Sequence, residues 1–431
     1  MGLEDLDQEI RNIAQKFYKN TPDDWGFEKL DNLVLNFIDY RGKTPPKSDN
    51  GIRMLSAANV KNGFLVPGRK EKFVTQETYD EWTTDRRGYP QKGDVVITTE
   101  APVGEVGLIR TDETFLTAQR LITLRTGDLL DSRYLKFCLQ YERTQGQLNS
   151  YASGTTVSSF NQTDLRNTVI PLPPINEQQK IGYILDNIEQ KISLNDRIIE
   201  DLEEASKRIY REWFIDFEPY EKFKDSDVGQ IPEKFEIKNL TDIAEVTYGY
   251  AFSSDEFNED GDGEPIIRIR NLPDDETDQF SPEEFKDKYR VEAGDVLAGM
   301  DGEFRPYIWK GPSAGLNQRV CKFEGKNTYS SIYLWNVIRK PFYKLEQAKT
   351  GTTVIHLGKG DIDEIEIPVP DEKSLVKFNE VMEPAYQDMI RRERENRQLE
   401  NLRDSLLPKL MSGEIRVNDI SLGELEVDSE V

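Results

Sequence analysis

Gly93-Asp94-Val95-Val96 and, further on, Gln119-Arg120-Leu121 decide the architecture, because both return along the chain as Gly294-Asp295-Val296-Leu297 and Gln318-Arg319-Val320. Two later landmarks keep the spacing. Gly154-Thr155-Thr156-Val157 reappears as Gly351-Thr352-Thr353-Val354, and Ile170-Pro171-Leu172-Pro173 as Ile367-Pro368-Val369-Pro370, each offset by 197 against 201 for the first pair. Four landmarks in order mark a duplication with small insertions. Each copy runs from a mixed globular stretch into a long helical one. The prediction is an α+β protein in which two similar mixed α/β units are joined by two long antiparallel coiled-coil helices, with approximate two-fold symmetry.

At 431 residues the chain exceeds one hydrophobic core, and two units of roughly 150 residues plus connectors are expected. Leu3, Leu6, Ile10, Ile13 and Phe17 recur at helical spacing and Thr21-Pro22 stops them, so residues 1–22 read as an amphipathic packing helix. The first globular unit takes residues 23–175, with short β-branched runs such as Val95-Val96-Ile97-Thr98 between Gly and Pro turns and a helix near Ser132–Arg143. A central helix over 176–220, a second unit over 221–370, a carboxyl-terminal helix over 371–413 and an acidic tail over 414–431 complete the division.

Both helices carry an alternating three-four apolar seam: Ile181, Ile184, Ile188, Lys191, Asn195, Ile198, Leu202, Ala205 and Ile209 in the first, and Leu375 through Leu410 in the second. Both break in the same way, with Lys191 then Asn195, and Arg392 then Asn396. In an antiparallel pair Asn195 would face Arg392 and Lys191 would face Asn396, a polar centre that penalises slipped registers. Replacing both asparagines by leucine is expected to raise thermal stability while loosening register. The alternative is that these side chains simply reach water.

The net charge of -24 argues against nucleic acid, since a protein that neutralises phosphates is normally basic. The distribution argues the other way. Residues 41–72 hold eight basic side chains against Asp49 and Glu71, and residues 305–359 hold ten against Glu324 and Glu346. The acids collect at 255–264, 274–284, along the helices and in the tail. Two cysteines, Cys138 and Cys321, are too few for a disulfide framework or a tetrahedral metal site and fit buried thiols in a reducing cytoplasm. No apolar run approaches the roughly 18 residues of a membrane span. The single histidine, His356, has Ser159 as its counterpart in the first copy, which disfavours a duplicated catalytic role. No phosphate-cradling Gly-rich loop, no Asn-Pro-Pro-Tyr motif for an extruded base and no nuclease motif with an upstream Pro-Asp occurs, so no catalytic or metal residue is assigned.

Gly93 to Gly107, reading GDVVITTEAPVGEVG, closely resembles the specificity subunit of Type I restriction-modification systems. Ile170-Pro171-Leu172-Pro173-Pro174-Ile175-Asn176-Glu177-Gln178-Gln179-Lys180-Ile181 resembles that family's entry into its central helix, Trp213-Phe214-Ile215-Asp216-Phe217 its exit, and Asn401 to Glu414 its carboxyl-terminal signature. The second copy departs from the pattern at Gly299-Met300-Asp301-Gly302-Glu303-Phe304-Arg305-Pro306. The resemblance implies a non-catalytic reader of double-stranded DNA. Its two target-recognition domains would each read half of a split, asymmetric site, with the helices as a ruler between them. It also implies two methyltransferase subunits as partners, with motor and nuclease subunits as further ones. AdoMet, ATP and Mg would lie on those partners and no cofactor on this chain. The residues expected to touch DNA are Arg41, Lys43, Lys47, Arg53, Asn59, Arg69 and Lys70 in the first unit, and Arg268, Arg270, Asn271, Arg305 and Arg319 in the second. Two rival readings are a self-sufficient DNA methyltransferase or nuclease, and an acidic decoy that mimics DNA.

Overall fold

The computed structural model describes residues 7–40, 44–66, 71–84, 88–118, 120–151, 159–349 and 355–417. It divides into two units, Met1–Lys191 with Leu399–Val431, and Ile192–Gln398. This differs from the linear division expected above. Each long helix, Ile175–Phe214 and Glu372–Ser412, gives one part to each unit, because each part is packed into its own unit's core. At about 1.5 Å per residue these helices of 40 and 41 residues are about 60 Å long.

The first unit is built on a sheet of four strands in the order Val34–Asp39, Leu121–Thr126, Val95–Thr99, Val103–Leu108, all antiparallel neighbours. Every residue of Val95–Thr99 is buried, as an inner strand covered on both faces requires. Helix Ser132–Gln140, capped by the Asp131 carboxylate on the Tyr134 N–H, lies against this sheet and buries Tyr134 through Leu139. A second sheet pairs Ile52–Leu55 antiparallel with Phe73–Val74 and parallel with Phe115–Thr117. Helix Gln8–Phe17 buries Ile10 and Ala14 in the same core and packs Ile13 and Phe17 partly against it, while Leu3 and Leu6 lie outside the described residues.

The second unit repeats this plan. Its four-stranded sheet runs Ala244–Tyr248, Val320–Gly325, Val296–Gly299, Pro306–Ile308, and its second sheet pairs Glu264–Ile267 antiparallel with Phe280–Ser281 and parallel with Ala314–Leu316. The shared Gly-Asp turns explain why those letters repeat. Gly93 and Gly294 both have positive φ (91° and 102°), and both donate backbone N–H to a strand-end carbonyl, that of Ile109 at 2.8 Å and of Trp309 at 2.7 Å. Asp94 and Asp295 each accept the N–H three residues earlier at 2.9 Å, closing the turn. The helix entries also match. Gln178 braces the cap of helix Ser132–Gln140 by accepting from the Asp131 N–H, while Asn379 accepts from the hydroxyl of Ser330, the cap of helix Ser331–Val337.

Within the second unit the two long helices run antiparallel, since Asn195 meets Asn396 while Tyr210 meets Phe378. The polar interruption is a network. The Asn195 Nδ2 donates to Asn396 Oδ1 (2.9 Å) and to Glu395 (3.0 Å), its Oδ1 accepts from Arg392 (2.9 Å), and the Asn396 Nδ2 donates to Asp196 (2.7 Å). Both asparagines are buried, so they do not reach water. Asn195 faces Arg392 as expected, and the direct amide pair adds to that expectation. The seam itself drifts. Beyond Asn195 the buried positions are Ile199, Ser206, Tyr210 and Phe214, one residue later than the heptad through Ile198, Ala205 and Ile209. An α-helix slips about 20° per heptad against a strict seven-residue repeat, so four heptads from Ile181 accumulate nearly one residue. The second helix continues through Pro384. Four residues of the predicted tail are part of the first unit: Val417 is buried in its core and Arg416 binds Asp24 and Glu177.

Candidate nucleic-acid interface

Arg41, Lys43, Arg69, Lys70, Gln119, the Gly154 and Gly351 loops and everything after Val417 lie outside the described residues. The other expected contact residues are Lys47, Arg53 and Asn59 in the first unit and Arg268, Arg270, Asn271, Arg305 and Arg319 in the second, and of the first three Lys47 lines a cleft. That cleft, of about 340 Å³, is lined by Lys47, Lys72 and Arg120 together with Ser56, Ala57 and Ala101. Three cations around a small cleft suit an anionic ligand.

The other two have structural work. Asn59 is buried, its Oδ1 accepting the Ser56 N–H (2.8 Å) and its Nδ2 donating to Val66 O (3.0 Å), so its amide closes a turn after strand Ile52–Leu55 and has no base edge to read. Arg53 is ion-paired to Glu71 (3.3 Å) and Glu113 (3.4 Å) and is two-thirds buried. Lys47 remains exposed on the cleft.

The second unit has the same turn with different cargo. Asn271 is buried and its Oδ1 accepts the Arg268 N–H (2.9 Å), reproducing the Ser56–Asn59 closure. Its Nδ2 donates to Asp278 (3.2 Å), which also binds Arg268 (3.1 Å) and Arg270. An acid from the 274–284 stretch thus neutralises the cations expected to meet DNA. Arg305 is exposed beside Glu303 at 4.0 Å. The long basic stretch is not one surface patch, because Lys310 and Lys322 are largely buried. Lys322 bonds Arg290 O at 3.1 Å, and Lys310 pairs with Asp275 (2.9 Å) and Glu203 (3.7 Å). Burial opposes the charge on Lys310, yet Asp275 and Glu203 hold its pKa above the usual value.

Arg319 pairs with Asp301 at 3.1 Å, and Asp301 also meets His356 Nδ1 at 2.7 Å. Its counterpart, Arg120, pairs with Glu100 at 3.0 Å. Sequence reasoning singled out Arg319 and missed Arg120, although the repeated Gln-Arg stood in plain view. Cys138 and Cys321 are buried in separate elements, and burial pushes both thiols up to about 12, which leaves them unreactive.

The model of the Type I restriction modification DNA specificity domain matches residues 22–204 and again 232–400. This chain belongs to the Type I restriction-modification specificity-subunit family. Among its relatives, the Type I restriction enzyme MjaIX specificity subunit of Methanocaldococcus jannaschii is 25% identical over 378 residues, covering 83% of this chain and 85% of that protein. The MjaVIII specificity subunit of the same organism is 24% identical over 440 residues, covering 95% and 99%. The crystal structure of a Type-I restriction-modification system S subunit from M. genitalium shares the fold, with a TM-score of 0.58, 17% identity, and coverage of 91% of this chain and 96% of that one. The two matched segments carry the two copies found by internal repeat. Among the described residues no helix is long and apolar enough to cross a membrane.

Proposed function

We propose that this chain is the non-catalytic DNA reader of a Type I restriction-modification complex. Each unit reads one half of a bipartite, asymmetric duplex site, and the paired helices hold the halves of the site at a fixed spacing. Two methyltransferase subunits dock on it and carry AdoMet, and motor and nuclease subunits with ATP and Mg complete the restriction enzyme. The observation that carries this reading is the duplication itself. The same turn, strand edge and arginine recur in both units, so one chain presents two related surfaces to one long ligand. Among the turn and cleft cations, Lys47 and Lys72 belong to the first unit and Arg268, Arg270 and Arg305 to the second, a difference suited to two unlike half-sites. Asp278, set across Arg268 and Arg270, accounts for part of the acidity: it lowers the affinity of the free chain, and the assembled complex overcomes it. The test is to co-express the chain with the methyltransferase encoded beside it and map modified adenines across a genome by single-molecule sequencing. A split motif with a constant gap is expected. Modification without a motif, or with a continuous one, refutes the reading.

A further inference from the structure

The two units differ in the side chains around the turns of their second sheets but agree closely at one point. The carbonyls of Arg120 and Arg319 each accept a backbone N–H at 2.9 Å, from Thr99 and Met300 respectively. The preceding turns close alike, by Leu121 N–H to Ala118 O and by Val320 N–H to Asn317 O. Each turn is also tied to the second sheet, by Ala118 N–H to Leu55 O and by Asn317 N–H to Ile267 O. The guanidinium groups project from this anchored base and are 56% and 58% exposed, each against one carboxylate from the residue after the anchoring N–H, Glu100 or Asp301. The pairing survives where the second copy departs from the first, since Met300-Asp301 stands in the place of Thr99-Glu100.

An arginine held on the same backbone anchor in both units does not discriminate between two different half-sites. It is suited to what the half-sites have in common, which is the sugar-phosphate backbone. We infer that Arg120 and Arg319 are a matched pair of phosphate clamps, one per unit, that set the register of the duplex while other residues read bases. This rests on the DNA-reading function proposed above. Glu100 binds Arg120 through Nε, which leaves its two Nη groups to face phosphate oxygens, while Asp301 binds Arg319 through Nη1, which leaves its Nη2 and Nε for the same purpose. The carboxylates are positioning residues: they fix each guanidinium before DNA arrives.

The test uses the assembled complex with its methyltransferase subunits, measuring binding to its target duplex and to a scrambled duplex between 50 and 300 mM salt by fluorescence anisotropy. Arg120→Ala and Arg319→Ala are each expected to weaken both duplexes by the same factor, on the order of tenfold, and to reduce the slope of log K against log salt by about 0.9, or about 1.8 for the double variant. Arg120→Lys keeps the charge and is expected to restore the slope without the full affinity. The mapped adenine motif remains unchanged in all of them. A base preference altered in either half of the motif would make the residue a base reader and overturn the inference, as would an unchanged slope or a failure of Arg120→Lys to restore it. A wild-type complex that modifies no split motif refutes the proposed function instead, so the two failures are told apart. Both side chains are more than half exposed, and an unchanged thermal melt checks that the variants are folded.

Discussion

Asn195 and Asn396 allow the polar centre of the helix pair to be weighed. In Asn195→Leu the buried Oδ1 of Asn396 loses its donor, a cost of about 1–3 kcal/mol. Arg392, only 16% exposed, loses one acceptor but keeps Asp388 at 2.8 Å, adding on the order of 1 kcal/mol. Against this, burying a leucine contributes about 1.5–3 kcal/mol where it fits. Taken at the middle of each range, the balance for the single variant is a loss of about 1 kcal/mol, or about 2–4 °C in the transition of a unit of this size. In the double variant with Asn396→Leu the orphaned oxygen is gone, so the second substitution should recover about 1 kcal/mol or more relative to additivity. Asp196 and Arg392 still lose a partner, which is why a rise above wild type, expected from the seam pattern alone, is no longer predicted. Calorimetry of the four members of the cycle measures this. A more stable single variant, or additivity within about 0.5 kcal/mol, would refute a coupled network.

Lys136 is fully buried against Glu189 and Asp186; burial pulls the lysine pKa down and pushes that of Glu189 up. Lys136→Met alone should therefore cost about 3–5 kcal/mol in a thermal melt, and Lys136→Met with Glu189→Leu should return most of it. Gly63, at φ 80°, has the buried Glu189 carboxylate and the Lys136 ammonium where a Cβ would stand, so Gly63→Ala should destabilise by about 2 kcal/mol or more, measured by urea titration. The hydrogen bond from Arg416 holds the Asp24 carboxyl below its usual range, so this contribution is present above the unfolded value of about 3.9 and is lost as pH falls through the folded one. The melting-temperature gap between wild type and Arg416→Met should thus be constant above about pH 5 and shrink below about pH 4. Asp278→Asn should raise the affinity of the free chain for DNA at low salt and leave the salt-free melt little changed; unchanged binding would remove Asp278 as a competitor for the arginines.

The duplication, the sheet-forming runs and both long helices were legible because they rest on periodicity and turn chemistry, which one sequence displays. Gly93 and Gly294 repeat because the same turn needs a positive φ twice. Charge was less legible. A count of basic residues over 305–359 has no way to tell the exposed Arg305 from Lys310 and Lys322, which are folded inward, Lys310 against Asp275 and Glu203 and Lys322 against the Arg290 carbonyl. Asn59 and Asn271 looked like base readers because asparagine often is one, yet a three-residue turn ending in asparagine also predicts a capping amide. Arg120 is legible by a different route, since identity with Arg319 across the repeat marks it where local charge does not.

The first unit's core contains Leu410, Met411 and Val417, which follow the whole second unit in the chain. During synthesis on the ribosome, residues up to Lys191 emerge with that part of their core unfilled and wait while some two hundred more are translated. The second unit, Ile192–Gln398, is contiguous and has no such delay, so it is the one expected to fold first, with the earlier-made half completed once helix Glu372–Ser412 and Val417 leave the exit tunnel.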